Sequence, residues 1–217
     1  MSDFQALRTM MVDTQVRPSD VTRYPVIGAM LAVPREAFVP DGLRAAAYAD
    51  TAVDLGAGRA MLEPRTFAKM LDALEIGSGE LVLDLGCGLG YSAAVIARMV
   101  DFVVALEQDE AMAAEAETRL GAQGVDNVAV ISGRLRDGDA KHGPYDAIVV
   151  EGGVERLPAG LVDQLKDGGR IAAIFADNRA GALRIGQKWG DHVDWRFAFN
   201  ATAPVLPGFE KVTEFAL

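Results

Sequence analysis

The 217-residue chain is predicted to be an α/β protein: one doubly wound, mostly parallel sheet with an N-terminal helical addition. Three observations predict it. From Leu81 onward, short apolar β-branched runs alternate with helical patterns, the signature of βα units. Those runs are apolar throughout, as strands are when helices cover both sheet faces. Residues 1–75 have another texture, helices broken by Pro-containing turns. They are expected to form a helical segment and substrate loop packed on a core of residues 76–217, not an independent domain.

Taken in order, Phe4, Leu7, Met10, Met11 and Val12 approximate one helix face ending before Arg17-Pro18. Ser19-Asp20 resembles an N-cap for a second helix through Val26, Met30 and Leu31, stopped by Pro34. The stretch from Asp54 to Glu63 has little periodicity of either kind. It feeds a clear helix over 64–74 with Pro64 in its first turn. Strands are expected at 81–85, 102–106, 128–131, 147–150 and 170–175. Helices are expected at 91–99, 110–120 and 157–165, with a turn at Gly168-Gly169. Residues 182–188 and 193–199 read as two edge strands.

Composition excludes several classes. Thirty-one acids against 21 bases leave a net charge of −10, so the basic footprint of a nucleic-acid binder is missing. Anionic membranes are disfavoured for the same reason. The longest uncharged candidates, 85–97 and 197–209, fall short of the roughly 18 residues of a membrane span. The first fifteen residues lack the apolar run of a secretory signal. One cysteine, Cys87, excludes an internal disulfide and fits a reducing cytoplasm. Two distant histidines and no cysteine cluster give no metal-binding pattern. The expectation is a cytoplasmic enzyme or binding domain without metal.

The chemistry-bearing motif follows the first core strand: Asp84-Leu85-Gly86-Cys87-Gly88-Leu89-Gly90-Tyr91. Glycines at a strand-to-helix turn let the backbone turn tightly and approach a ligand closely. A dinucleotide fingerprint wants glycine at the third, fifth and eighth positions of this stretch, and the eighth is Tyr91. Glycine at every second residue, preceded by a strand acid, suits a ligand without a pyrophosphate. Such a ligand carries an adenosine and a methionine-like tail whose ammonium welcomes a carboxylate. The bland alternative is a tight turn and nothing more. Glu107, with Gln108, ends the next strand roughly twenty residues on, where such folds bind ribose hydroxyls. Asp109 and Glu110 read as helix-start acids favoured by the dipole. Cys87 has no base near it in sequence and reads as a small apolar filler. His142 and His192 read as surface residues.

These segments resemble the class I S-adenosylmethionine-dependent methyltransferases, of Rossmann-like fold. Within that class the chain resembles the protein-L-isoaspartate O-methyltransferases, which methylate isoaspartyl carboxylates in aged proteins. Residues Ala29 to Pro40 look like that family's A-M-x-x-V-P-R-E-x-F-V-P, and Tyr48-Ala49-Asp50 like its Y-x-D. Pro144-Tyr145-Asp146-Ala147-Ile148 and Leu165-Lys166-Asp167-Gly168-Gly169-Arg170 match its later strand signatures. Three positions depart. In the loop Gly58-Arg59-Ala60-Met61-Leu62-Glu63-Pro64, Leu62 stands where the family has a serine facing the methyl-transfer site. Gly133-Arg134-Leu135 replaces G-D-G, whose acid lies near adenine. Glu151 precedes Gly152-Gly153 where small or hydroxyl residues are usual.

The resemblance implies S-adenosylmethionine as cofactor and a protein or peptide carboxylate as partner. The implied cofactor residues are Asp84, Gly86, Cys87, Gly88, Gly90, Glu107, Gln108, Arg134, Leu135 and Glu151; residues 58–64 form the implied substrate loop. No catalytic residue is assigned, because Leu62 occupies the serine position. A carboxylate acceptor is already ionised at neutral pH, so placement and desolvation suffice and no base is needed. Two alternatives remain: a methyltransferase with a changed acceptor, and a non-catalytic relative that binds S-adenosylmethionine. A nicotinamide-dependent oxidoreductase is disfavoured because Tyr91 breaks its fingerprint.

Overall fold

Asp3 opens the first helix by accepting the Ala6 amide at 3.1 Å. In this computed structural model, which describes residues 3–176 and 181–211, α1 (Phe4–Met11) continues through a π-helical turn at Val12–Val16. A 3₁₀ turn at Arg17–Ser19 then closes the run. The second helix starts later than Ser19-Asp20. The Ser19 hydroxyl donates back to the Gln15 carbonyl at 2.7 Å, and left-handed Asp20 (φ 62°) ends the run. α2 (Tyr24–Ala32) begins after Arg23, with Pro25 in its first turn. The Thr22 and Arg23 amides are taken by Asp72, at 3.1 and 3.0 Å.

The stretch that lacks periodicity is ordered. β1 (Val53–Gly56) and β2 (Arg59–Met61) form an antiparallel hairpin. Its tip residues Gly56, Ala57 and Gly58 all have positive φ, the backbone that short hairpin turns require. α3 (Pro64–Leu74) follows as expected, burying Phe67, Met70, Leu71 and Leu74 along one face.

The core then winds through β3 (Leu81–Leu85), α4 (Tyr91–Ile96), β4 (Phe102–Glu107), α5 (Glu110–Ala122) and β5 (Val128–Ser132). α4 stops three residues short of the expected end. β6 (Tyr145–Val154) runs further at both ends than its apolar run: Tyr145 pairs with Leu165, and Gly152 and Gly153 lie against the segment around Pro204 and Leu206. α6 is only Ala159–Asp163. β7 (Leu165–Phe175) takes in the expected Gly168-Gly169 turn as an irregularity in its pairing with β6. β8 (Ala182–Trp189) and β9 (His192–Asn200) are the expected edge hairpin.

The seven strands lie in the order β5-β4-β3-β6-β7-β8-β9. The first five are mutually parallel, and β8 is antiparallel to both its neighbours. Two apolar layers sandwich the sheet. On one face Val82, Val103 and Val149 join Met30, Phe38 and Met11 of the N-terminal segment with α3 and α4. On the other, Leu83, Leu85 and Ile148 pack with Leu161 of α6 and the C-terminal Leu206 and Phe209. The N-terminal helices therefore share a continuous core with the sheet. They are also tied by polar bonds, with Arg119 of α5 reaching the Ala37 and Val39 carbonyls.

Candidate active site

β4, β3 and β6 are neighbours, and the strand order reverses between β3 and β6. Open α/β sheets bind ligands at the carboxyl ends of strands at such a switch point. Leu85 pairs with both Leu106 and Val150, so Glu107 and Glu151 each follow that level by one residue and Asp84 precedes it by one. There stand Glu107, Asp84 and Glu151, respectively 0%, 0% and 6% exposed. Three acids buried together this deeply need partners or a ligand.

The glycine turn crosses these strand ends. The Gly86 and Cys87 amides donate to the Leu106 carbonyl at 2.8 and 3.3 Å. Gly86 (φ +87°) and Gly88 (φ +56°) are left-handed, which favours glycine. A methyl group on Gly86 would strike the Arg59 guanidinium, and one on Gly88 would strike Leu55. The β1–β2 hairpin is thus seated directly on the turn.

Glu107 has all the partners a carboxylate can use. Oε1 accepts the Gln108 and Asp109 amides at 2.8 and 3.3 Å. Oε2 accepts the Gly88 amide at 2.9 Å and both Nε and Nη2 of Arg59 at 3.3 Å. Arg59 also donates to the Gly86 carbonyl and is 2% exposed. The hairpin therefore places a buried cation on the expected ribose acceptor.

Asp84 and Glu151 are less well provided. Ser92 donates its hydroxyl to Asp84 Oδ2 at 2.6 Å, but Asp84 Oδ1 and Glu151 Oε1 have no hydrogen-bond partner among the described residues. Burial pushes the Asp84 carboxyl up to about 7, against the Ser92 hydrogen bond and the Arg59 charge, with Glu107 adding to the rise. Burial, then Asp84, pushes Glu151 well above the ordinary carboxylate range; Arg59 and Arg35 oppose this. The Cys87 thiol is also pushed up by burial and by its acid neighbours, consistent with a filler and not a nucleophile.

Leu62 is 3% exposed. Its carbonyl is held by fully buried Arg35 at 2.6 Å, which also donates to the Ala47 carbonyl at 2.7 Å. Arg35 lies 4.8 Å over the Tyr91 ring, itself flanked by Phe38 and Phe67. Leu62, Tyr91, Ser92, Gly86 and Glu151 enclose a cavity of about 10 Å³, room for roughly one water. With the hairpin seated on the glycine turn, the cavity is too small for a nucleoside.

The remaining expected residues are dispersed. Gly58 is at the exposed hairpin tip, Glu63 accepts the Thr66 hydroxyl at the start of α3, and Pro64 is buried in its first turn. Gln108 Oε1 accepts the Leu135 amide at 3.4 Å. Leu135 is buried in the opposite apolar layer, and Arg134 is exposed. Neither lines the cavity. The expectations for residues 58–64 did not foresee the contact of Arg59 with Glu107. Ser92 and Tyr91 also went unassigned; the sequence cue was their place in the first turn after the glycines.

A parallel sheet closed by an antiparallel edge hairpin, with an acid before the glycine turn and another ending the next strand, defines a Rossmann-like S-adenosylmethionine-dependent methyltransferase. The profile of the family described as Protein-L-isoaspartate(D-aspartate) O-methyltransferase (PCMT) matches residues 8–193. The chain belongs to this family. It is 41% identical over 206 residues to the protein-L-isoaspartate O-methyltransferase of Methylorubrum extorquens, covering 93% of this chain and 89% of that one. It is 40% identical over 183 residues to protein-L-isoaspartate O-methyltransferase 1 of Rhodopseudomonas palustris, covering 84% and 75%. A solved Plasmodium falciparum structure described as a putative protein-L-isoaspartate O-methyltransferase in complex with S-adenosyl-L-homocysteine superposes with a TM-score of 0.79. It is 20% identical, with 95% and 99% of the two chains covered, a likeness of fold.

Proposed function

We propose that this protein transfers the methyl group of S-adenosylmethionine to a carboxylate on a protein or peptide, the isoaspartyl carboxylate of its family, at a rate limited by Leu62. The observation that carries this reading is the buried Glu107 at the end of β4, beside a left-handed glycine turn and under the hairpin that leads to Leu62. The orphaned Asp84 Oδ1 at the neighbouring strand fits a cationic amino-acid tail.

When bound, the cofactor supplies an electrophilic methyl group on a sulfonium. Glu107 takes the ribose hydroxyls once Arg59 has left it, and Asp84 takes the ammonium. Gly86, Gly88 and Gly90 let the backbone approach the ligand. Arg35 fixes the loop by holding the Leu62 carbonyl, so residue 62 faces the acceptor in one position. The hairpin excludes water from the reacting atoms. An ionised acceptor needs no base, so the lack of a histidine or lysine at the cavity is no obstacle.

Leucine offers the acceptor apolar contact in place of a hydroxyl donor. Losing one hydrogen bond to a charged group costs about 1.5–3 kcal/mol, or roughly 10–100-fold in rate where it acts in the transition state. The test is transfer of labelled methyl groups to an isoaspartyl peptide by the unmodified protein and by Leu62→Ser. Slow transfer, raised by the serine and yielding a base-labile ester, is the expected result. Family-typical activity in the unmodified protein removes the role given to Leu62. A second reading, a changed acceptor, is favoured by a carboxyl group, Glu151, in the same cavity as Leu62; transfer by neither protein leaves that reading or a non-catalytic role.

A further inference from the structure

Glu151 has no task in the scheme above, yet it is the most conspicuous group in the cleft. It is 6% exposed, lines the cavity beside Tyr91 and Ser92, and has an oxygen without a partner among the described residues. The position is a consequence of register. Asp84 pairs with Val149 across the β3–β6 ladder, and Val149 belongs to the apolar layer on the α3–α4 face. Strand side chains alternate, so Glu151, two residues on, points to that same face as Asp84's diagonal neighbour. Each acid has an oxygen without a partner among the described residues, and Glu151 lines the cavity beside the hairpin.

The nearby cations hold other groups, although Arg35 Nη1 has no hydrogen-bond partner among the described residues and the Arg35 charge acts on Glu151. Arg59 is bound to Glu107 and the Gly86 carbonyl, and Arg35 to the Ala47 and Leu62 carbonyls. On α4, Ser92 is bound to Asp84, and the Tyr91 hydroxyl has no partner among the described residues. Strand order then decides which part of a ligand meets the two acids. With its ribose on Glu107 of β4, a ligand lying across the strand ends passes over β3 and then β6, each about 4.8 Å further on. With the ammonium on Asp84, the atom after the ribose methylene, the sulfur, is the one left within reach of Glu151.

We propose that Glu151 reads the charge of that sulfur, making the site selective for the sulfonium donor over the neutral thioether product. Methyl transfer moves CH₃⁺ from the sulfonium to the acceptor oxygen. The C–S bond breaks, its electron pair stays on sulfur, and an O–C bond forms from the carboxylate lone pair. The ligand thereby loses one positive charge beside two carboxyl groups, while its ammonium, ribose and adenine are unchanged. Burial keeps the proton on Glu151 in the free protein; an arriving sulfonium favours its release to solvent, and a second carboxylate within a few ångströms of that charge is then expected to favour the donor by roughly tenfold in a site of intermediate dielectric. The residue therefore hastens product release and limits product inhibition. This inference rests on the donor reading of the site and is independent of the acceptor.

The test compares dissociation constants for S-adenosylmethionine and S-adenosylhomocysteine by isothermal titration. The unmodified protein should bind the donor about tenfold more tightly than the product. Glu151→Gln, which keeps shape and removes charge, should bring the ratio close to one, mainly by weakening the donor. Glu151→Asp should restore part of the preference. Equal or tighter binding of the product by the unmodified protein overturns the proposal without recourse to a variant. An unchanged ratio in Glu151→Gln, or equal weakening of both ligands, also overturns it and makes Glu151 merely structural. Failure of the unmodified protein to bind either ligand refutes the donor site itself.

Discussion

The contact between Arg59 and Glu107 sets opposite expectations for its two partners. Glu107→Ala removes the ribose acceptor and should weaken S-adenosylmethionine binding roughly tenfold to a hundredfold. It also leaves Arg59 as an uncompensated buried charge, a loss of about 3–5 kcal/mol in stability, visible as a lower urea midpoint. Arg59→Ala frees Glu107 Oε2 and should tighten cofactor binding in the same titration. Weaker binding by that variant would mean the guanidinium touches the cofactor instead of competing with it. Glu107 was legible in the sequence because position alone, the end of the strand after a glycine turn, nominates it. Arg59 was not, because its partner lies 48 residues away and only the fold of an aperiodic loop joins them.

The elements divide along the same line. β3, β4 and α5 were readable from apolar runs, and α3 from Pro64 and a one-sided apolar face. The β1–β2 hairpin was not: it is four and three residues long, too short for alternation to register, and its turn is built by positive φ at Gly56, Ala57 and Gly58. α6 was overread because Leu157 and Leu165 bracket it with helical spacing, whereas Pro158 and the start of β7 confine it to five residues. The N-terminal helices carry their own prediction. Met11, Val12, Val16, Met30 and Phe38 are at most 1% exposed in the layer shared with β3 and β4. Deleting residues 1–50 should therefore yield an insoluble or molten protein without transfer activity. A soluble, fully active truncation would show those helices to be dispensable.

For the whole molecule, the buried acids tie stability to pH. An acid whose folded pKa is raised keeps its proton in the fold after the unfolded chain has released it. Stability then falls as pH rises between the two values. For Asp84 that window runs from the ordinary carboxylate range up to about 7, and Glu151 acts in the same direction. The protein without cofactor should lose up to about 1.4 kcal/mol per pH unit for each such group. Urea unfolding of the unmodified protein and of Asp84→Asn between pH 5 and 8 measures this, and the variant should show the shallower slope. Equal slopes would mean Asp84 is ionised in the fold.

The chain has two tryptophans, Trp189 and Trp195, both on the antiparallel edge hairpin. β8 runs against its parallel neighbour, with Phe175 paired to Ala182 and Arg170 to Gln187, so Trp189 lies at the amino end of the sheet, opposite the cleft. Trp195 pairs with Gly186 and stacks edge-on against Phe175 at 5.0 Å. The adjacent Arg196 donates to the Ala73 carbonyl in α3. Intrinsic fluorescence is consequently a reporter of the edge hairpin, two strands beyond the cleft-forming β6. Titration with the cofactor should leave the emission maximum unmoved, while fraying of the edge hairpin should shift it to the red.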